Sequence, residues 1–262
     1  MKKLLCLVLA LCLLPVMTAC SNKAEPAPAP TDETPADDGV PVNPEPEEEK
    51  NTEPVKNEVK EPEPVHPYEW LGLSGMPECN YLDILSSNCY YQVYDLYGTE
   101  GKTEYIEAAD GIDSYQASET ARSLAVDGMF YSIDEIGKTY TRIDNTDSTA
   151  QARAYMESVF AQGTNIYGRE LKGTGKGAVP LYADAEGDAA EYEYYEFLTS
   201  NPGVNEIVER FYMRDGDVFA IYTRAANDVT AIESTKVIKS ISPDVPAGIF
   251  TTPNLAGYTE AG

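Results

Sequence analysis

An acidic, proline-rich stretch over residues 21–66 limits where this chain can fold. It contains ten prolines, thirteen acidic residues and four lysines, and no aromatic side chain apart from His66. Such a composition buries too little apolar surface to offset the entropy of ordering the chain, and its like charges repel one another. We therefore expect residues 21–66 to be a disordered tether, and residues 67–262 to form a single globular domain large enough for its own core.

The residues before the tether have the layout of an export signal. Lys2 and Lys3 precede an apolar run over residues 4–16, and Met17-Thr18-Ala19, which ends in small residues, comes directly before Cys20. The run is short for a membrane-spanning helix. We interpret residues 1–20 as a lipoprotein signal peptide with a lipobox, and Cys20 as the lipidated residue. The mature protein is then extracytoplasmic and anchored to the cell membrane by its N-terminal lipid, the alternatives being an ordinary secretory signal or a short membrane anchor.

Net charge excludes several partners. The chain has a formal charge of −25 at pH 7, of which the tether contributes −9 and the signal +2, so about −18 remains on the domain. An acidic domain without a basic patch is a poor partner for nucleic acid and for anionic lipid headgroups. Cationic ligands are not repelled.

The globular part has the pattern of a mainly β protein. Runs rich in Tyr, Ile, Val and Thr are separated by turn signals, of which Asp127-Gly128 and Asp215-Gly216 supply the positive φ angles of two-residue hairpins. The first five predicted strands should form an antiparallel meander. The predicted strands span residues 90–97, 103–108, 122–126, 129–134, 138–143, 167–173, 190–198, 206–214, 218–224 and 230–241.

One long helix is expected in the middle of the domain. A capping box from Ser148 to Gln151 predicts its start, and Gly163 predicts its end in the left-handed conformation. A shorter helical turn is expected over residues 79–87. The apolar face of the long helix consists of side chains at helical spacing, Ala152, Tyr155, Met156, Val159 and Phe160.

The sequence offers little for a metal, a cofactor or catalysis. Cys79 and Cys89 are close enough in sequence for a disulfide in an exported protein, but two free thiols are an equal alternative. We expect no zinc site, because further soft ligands are missing. The glycines of residues 173–177 lack phosphate-loop spacing and indicate a flexible connection between strands, and the acids of residues 184–188 are out of phase with a calcium loop. With His66 as the only histidine, we expect a noncatalytic protein without a cofactor.

The end of the chain resembles a known superfamily. From Asp244 to Tyr258 it has Phe250, then Pro253, then a closing Gly257-Tyr258. This ending resembles the tail of the outer-membrane lipoprotein carrier (LolA-like) superfamily, which includes lipid-tethered members in Gram-positive bacteria. The resemblance covers about half of the domain, and the segments 127–131 and 138–140 are compatible with it.

The resemblance implies a particular architecture and a ligand. It implies a curved antiparallel sheet, or half-open β-barrel, with one or two helices on its concave side. In relatives the cavity holds acyl chains, or the domain acts as a sensor or a protein-binding module. The lipid anchor and the tether distinguish this chain from a soluble carrier.

Tyrosines on several predicted strands give two functional hypotheses. In the first, an envelope lipoprotein binds an apolar or amphipathic, lipid-like ligand in the half-barrel. In the second, a structural or sensory module with a closed core contacts another envelope protein or a cell-wall polymer through a tyrosine-rich surface. The resemblance makes the first our expectation and the second its alternative, and a cavity between the long helix and the sheet would favour the first. The candidate ligand-binding residues of the first hypothesis are Tyr94, Leu96, Tyr105, Tyr131, Tyr194, Phe211 and Tyr222.

Overall fold

The computed structural model of the chain describes residues 65–182, 190–200, 206–227 and 233–261. The chain divides into two units between Pro64 and Val65, and only the second is described here. The signal peptide, Cys20, nearly all of the predicted tether and the acidic loop at 184–188 therefore lie outside the described residues. His66, which we expected in the tether, accepts a hydrogen bond at Nδ1 from the backbone N–H of Tyr68 at 3.2 Å.

The described chain is mainly β, as the sequence predicts. It forms a twelve-stranded sheet and two helices, α1 at Asn80–Ser86 and α2 at Thr146–Gln162. The strands are β1 Cys89–Gly98, β2 Gly101–Asp110, β3 Asp113–Ala117, β4 Ala121–Val126, β5 Met129–Asp134, β6 Thr139–Asp144, β7 Arg169–Gly177, β8 Tyr192–Thr199, β9 Ile207–Arg214, β10 Asp217–Ala225, β11 Glu233–Ser242 and β12 Thr259–Glu260.

The sheet is built from two meanders that meet at β1. Its strand order is β12-β6-β5-β4-β3-β2-β1-β11-β10-β9-β8-β7. Neighbouring strands are antiparallel except β12, which pairs with β6 in parallel. Strands β7 and β12 lie at the two ends of this order, so the sheet is not closed in the described part of the chain. The predicted meander of the first strands is confirmed.

Local sequence explains both the hairpins that were predicted and the strands that were missed. Asp127 and Gly128 have φ of 51° and 79°, and Asp215 and Gly216 have 55° and 81°, as two-residue hairpins require. Strand β3 has the sequence Asp-Ser-Tyr-Gln-Ala, in which only Tyr115 and Ala117 are apolar, and β12 has only two residues. The glycines of residues 173–177, which we expected in a flexible connection, lie inside the edge strand β7.

Side-chain alternation gives the sheet two faces, which we name by their residues. The front face is the one that carries Phe211 on β9, and the back face is the one that carries Tyr212. Residues that pair across neighbouring strands lie on the same face of the sheet. Phe211 pairs with Ile221, Ile221 with Lys236, and Lys236 with Leu96 of β1, so all four are on the front face. Tyr94, two residues from Leu96, is therefore also on the front face.

The front face of strands β8–β11 is covered by the first described segment of the chain. Residues between Val65 and α1 pack with Phe197 of β8 and Phe211 of β9 in the largest apolar core of the described residues. Arg169 holds this segment in place, since it forms a two-point ion pair with Glu209 at 2.7 and 3.0 Å and donates to the carbonyl of Leu71 at 2.9 Å. The buried covering side chains are Tyr68, Trp70, Leu71, Leu73, Met76, Cys79, Tyr81 and Leu82.

Helix α2 reaches the same core through Met156 and Val159. Its Phe160 meets Trp70 edge to face at a centroid distance of 4.9 Å, and a Cβ on Gly163 would meet the Val65 side chain. The helix therefore packs on the covering segment that starts at Val65. Tyr155, which we predicted on the apolar face, is instead 43% exposed.

The predicted N-cap of α2, Ser148, is wrong by three residues, because the N-cap residue is Asn145. The helix begins at Thr146, whose N–H is accepted by the Asp144 carboxylate at 2.9 Å. The hydroxyls of Ser148 and Thr149 both donate to the carbonyl of Asn145, so they bond backwards along the helix instead of capping it. The predicted end is confirmed, because Gly163 has φ of 62° in the left-handed region.

The back face has two separate apolar clusters. On strands β8–β11, Tyr212 and Phe219 pack with Val179 from the loop after β7. On strands β4 and β5, Leu124 and Ile133 pack beneath a C-terminal segment that contributes three partly buried side chains, Phe250, Leu255 and Tyr258.

Candidate functional site

The residues predicted to line one cavity are divided between the two faces of the sheet. Alternation fixes which side chains of a strand share a face, but the sequence does not reveal the register between distant strands. Phe211 belongs to the front core and is 2% exposed. The register puts Tyr94, Leu96, Tyr105 and Phe211 on the front face, and Tyr131, Tyr194 and Tyr222 on the back face.

The back-face tyrosines make structural contacts. Tyr131 is 6% exposed in the cluster beneath the C-terminal segment. Tyr194 lies under the guanidinium of Arg210 at 4.7 Å from the ring centroid. Tyr222 donates to Glu233 at 2.8 Å, and burial together with this bond raises the pKa of Tyr222 to about 12. None of these three side chains faces Tyr94 or Tyr105 across a common space.

Polar and aromatic side chains gather on the front face beside the apolar core. We call this set the front-face cluster, and it spans four strands that are neighbours in the sheet. Its members are Tyr90, Gln92 and Tyr94 on β1, Tyr105 and Glu107 on β2, Gln116 on β3, and Lys236 on β11.

Tyr94 is held in one orientation at the centre of this cluster. Its ring stacks on Tyr105 with centroids 5.5 Å apart and an interplanar angle of 15°. The ammonium of Lys236 lies 4.0 Å from the ring centroid, and the Gln116 amide donates to the phenol oxygen at 2.9 Å. Tyr94 is 4% exposed whereas Tyr105 is only partly buried, so Tyr105 is the ring of this pair that reaches solvent.

An ion pair lies next to these rings. Lys236 Nζ is 3.2 Å from Glu107, and the hydroxyl of Tyr90 donates to the same carboxylate at 2.6 Å. Burial alone would raise the pKa of Glu107, but the Lys236 ammonium and the Tyr90 hydroxyl outweigh it and hold that pKa below its usual value. Burial and the adjoining carboxylate raise the pKa of Tyr90. Glu107 is thus an ionised hydrogen-bond acceptor and not a proton donor near neutral pH.

Gln92 is the unusual member of the front-face cluster. It lies directly opposite Glu107, it is 0% exposed, and its amide nitrogen and oxygen both lack a hydrogen-bond partner among the described residues. The amide is near enough to help lower the pKa of Glu107, but it does not reach hydrogen-bond geometry with that carboxylate. A buried amide without partners is unfavourable and rare in native proteins. The cluster therefore offers donor and acceptor capacity that the fold leaves unused.

A second feature is a cleft at the start of α2. It has a volume of about 510 Å³ and lies between the helix and the turns that follow β2 and β4. Burial and the charge of Asp127 raise the pKa of Asp113, while Arg153 opposes this rise. The cleft is lined by Ile112, Asp113, Asp127, Thr146, Thr149, Ala150, Arg153, Ala154 and Glu157.

Neither cysteine is part of a disulfide. Cys79 is buried in the front core, where burial raises its thiol pKa, and Cys89 begins β1 with its sulfur 3.9 Å from the carbonyl oxygen of Pro243. Their side chains thus lie in different surroundings. Within the described ranges, no group of three or more His, Cys, Asp or Glu side chains could hold a metal ion.

Sequence reasoning missed five members of the front-face cluster, namely Tyr90, Gln92, Glu107, Gln116 and Lys236. No local signal distinguished Glu107 or Lys236, because β2 carries four charged side chains and β11 carries three. Only the register of β1 with β2 and β11 shows that they meet.

Comparisons with known proteins identify no family. No protein-family profile matches the chain, and no curated protein matches it. Among solved structures, an uncharacterized conserved protein from Thermus thermophilus aligns with 8% identity and a TM-score of 0.40, over 69% of this chain and 95% of that one. In the part of the chain that the structure describes, no helix has the length and apolar character needed to span a membrane.

Proposed function

We propose that this chain is a noncatalytic cell-envelope lipoprotein whose β domain is a binding module with a closed core. The lipid on Cys20 anchors it, and the tether that precedes Val65 holds the domain away from the membrane. The module contacts another envelope protein or a cell-wall polymer through a surface that carries tyrosines. The observation that carries this proposal is the packing of Trp70 against Phe160 of α2, where an open cavity would favour a lipid carrier.

Side chains fill the space between the C-terminal half of α2 and the covering segment, and the cleft described above lies at the other end of the helix. Trp70 is 6% exposed, its indole N–H donates to the Ser86 carbonyl at 3.1 Å, and its ring meets both Phe160 and Tyr167. Leu73 and Leu82 are 0% exposed beside it. An acyl chain would have to displace these side chains, and the energy of that displacement would be lost from binding.

A noncatalytic role is supported by the position of the only histidine. The His66 ring packs edge to face on Tyr68, and its Nδ1 accepts a backbone N–H, so this nitrogen is not free to act as a base. Glu107 is already neutralised by Lys236. The charge of −25 supports the exclusion of nucleic acid as a partner.

Binding of a lipid-like ligand in a half-open barrel is the second candidate. The observation in its favour is that the sheet is not closed in the described part of the chain and that Tyr94, Leu96, Tyr105 and Phe211 share one face of it. In this case the covering segment from Val65 to α1 would move aside as the ligand enters.

One experiment separates the two candidates. The mature chain from residue 20, with Cys20→Ala, is incubated with purified cell-wall sacculi and, separately, titrated with a fluorescent fatty acid. If the module is closed, the protein stays bound to the sacculi, or is cross-linked to an envelope protein, and the fatty acid gives no saturable signal. Saturable fatty-acid binding, with lipid in an organic extract of the purified protein, would overturn the proposal. Membrane fractionation of the unmutated chain against Cys20→Ala tests the anchor.

A further inference from the structure

We propose that the front face of strands β1–β6 binds a neutral glycan strand that lies across the β-strands. This inference rests on the proposed function and names the polymer and the surface. The register puts one polar side chain from each strand directly opposite the next. We call this line the polar row, and from β1 to β6 it consists of Gln92, Glu107, Gln116, Ser123, Ser132 and Thr141.

The polar row has the length of an extended ligand. Adjacent strands lie about 4.8 Å apart, so the five steps from Gln92 to Thr141 cover about 24 Å. Exposure increases along the row, from a fully buried Gln92 through a partly buried Gln116 to an exposed Ser132 and Thr141. A ligand can therefore lie along the exposed Ser132 and Thr141 and extend toward the partly buried end of the row.

The chemistry of the row matches a hydroxyl-rich ligand. Amides and hydroxyls both donate and accept hydrogen bonds, as sugar hydroxyls do, and the Glu107 carboxylate adds an ionised acceptor. Tyr105 flanks the row with a partly exposed ring that stacks on Tyr94, and Gln116 holds Tyr94 in place. A rigid aromatic ring at the border of a polar line suits the apolar face of a sugar ring.

Gln92 is the independent observation that points to a ligand. Its amide is completely buried, is without a hydrogen-bond partner among the described residues, and stands at the closed end of the row beside Glu107. Glu107 is partly exposed, so a ligand hydroxyl that bonds its carboxylate lies next to the unsatisfied amide. The amide atoms themselves have no accessible surface, so such a hydroxyl satisfies the amide once the side chains that seal it shift.

Other ligand classes fit the row less well. An acyl chain needs an apolar lining, which six polar side chains do not provide. An added peptide strand pairs with a sheet edge, whereas the row crosses the middle of the meander. Polyanionic wall polymers are repelled by a domain with a charge of about −18, and the only carboxylate of the row is already paired with Lys236. A neutral or N-acetylated glycan remains.

The test uses the mature chain with Cys20→Ala and a hexamer of N-acetylglucosamine in isothermal titration calorimetry. Ser132→Arg places a long cation on the exposed part of the row, and Ser158→Arg, on the exposed side of α2, is the matched control. We expect saturable binding that Ser132→Arg weakens by about tenfold or more and that Ser158→Arg leaves within about twofold. Far-UV circular dichroism confirms that both variants fold.

The outcomes separate the row from the module. Equal weakening by both arginine variants, or no binding of the hexamer, overturns the polar row. Retention on sacculi or on an envelope protein in the same preparation would then keep the proposed function. Tighter binding of a purified polyanionic wall polymer would also overturn the row, because it contradicts the charge argument. Loss of every interaction except with fatty acid would reject the row and the module together.

Discussion

Replacing Trp70 tests whether the space beneath α2 is as filled as the proposed function requires. Trp70 is 6% exposed, and its indole N–H donates to Ser86 at 3.1 Å. A buried aromatic side chain of this kind removes roughly 200 Å² from water, which at about 25 cal/mol/Å² is about 5 kcal/mol. Because neighbours such as Phe160 can partly collapse into the space, we expect Trp70→Ala to lower the free energy of unfolding by about 4 kcal/mol.

The assay is urea denaturation followed by far-UV circular dichroism, because Trp70 is the only tryptophan and the variant loses that fluorophore. Trp70→Phe keeps an edge-to-face partner for Phe160 but loses the bond to Ser86, so a loss of about 1–2 kcal/mol is expected. Tyr155→Ala, on the exposed side of the same helix, should change stability by no more than about 0.5 kcal/mol. A loss below about 1 kcal/mol for Trp70→Ala would refute the closed core.

Three further predictions concern the front-face cluster and the C-terminal segment. Gln92→Leu should raise the free energy of unfolding in urea by about 1–3 kcal/mol, because it removes a buried amide without partners; a loss of stability would show that the amide is paired. Glu107 has a lowered pKa in the folded state, so its contribution is present above about pH 4.3 and is lost as pH falls through the folded value. The stability advantage of the unmutated chain over Glu107→Gln, measured by thermal denaturation, should therefore shrink below that pH, and a constant advantage would contradict the ion pair. A chain that ends at Ser242 should bind more of an apolar dye than one that ends at Glu260, since Leu124 and Ile133 lose their cover, and equal dye binding would argue against that role.

The sequence predicts which helices, strands and turns form better than it predicts the contacts between them. The turns Asp127-Gly128 and Asp215-Gly216 form as expected, because two adjacent residues with positive φ have few alternatives to a tight hairpin. The start of α2 was misplaced because Ser148 and Thr149 could either cap the helix or bond back to Asn145. Such a choice is decided by neighbouring structure, not by the local pattern.

The candidate site was predicted only in part, because the sequence does not reveal which residues of distant strands pair. Tyr94 and Tyr105 were proposed together and do stack, since β1 and β2 are joined by a short turn. Lys236 lies 142 positions from Tyr94 in the sequence, so no local signal joins them, and only the pairing of β1 with β11 brings its ammonium over the ring. Tyr131 was grouped with them although its strand presents it to the opposite face.

The segments that pack on the sheet determine which part of its polar surface stays open to solvent. Strands β8–β11 are covered on the front by the segment from Val65 to α1 and on the back by the loop that carries Val179, so both of their faces bear large side chains. The C-terminal segment covers β4 and β5 on the back only. Their front side chains in the polar row, Ser123 and Ser132, are small and polar, as a surface open to water requires. The same asymmetry that buries the apolar core under one half of the sheet leaves a polar, hydrogen-bonding surface on the other half, where a hydroxyl-rich ligand can bind without displacing any core side chain.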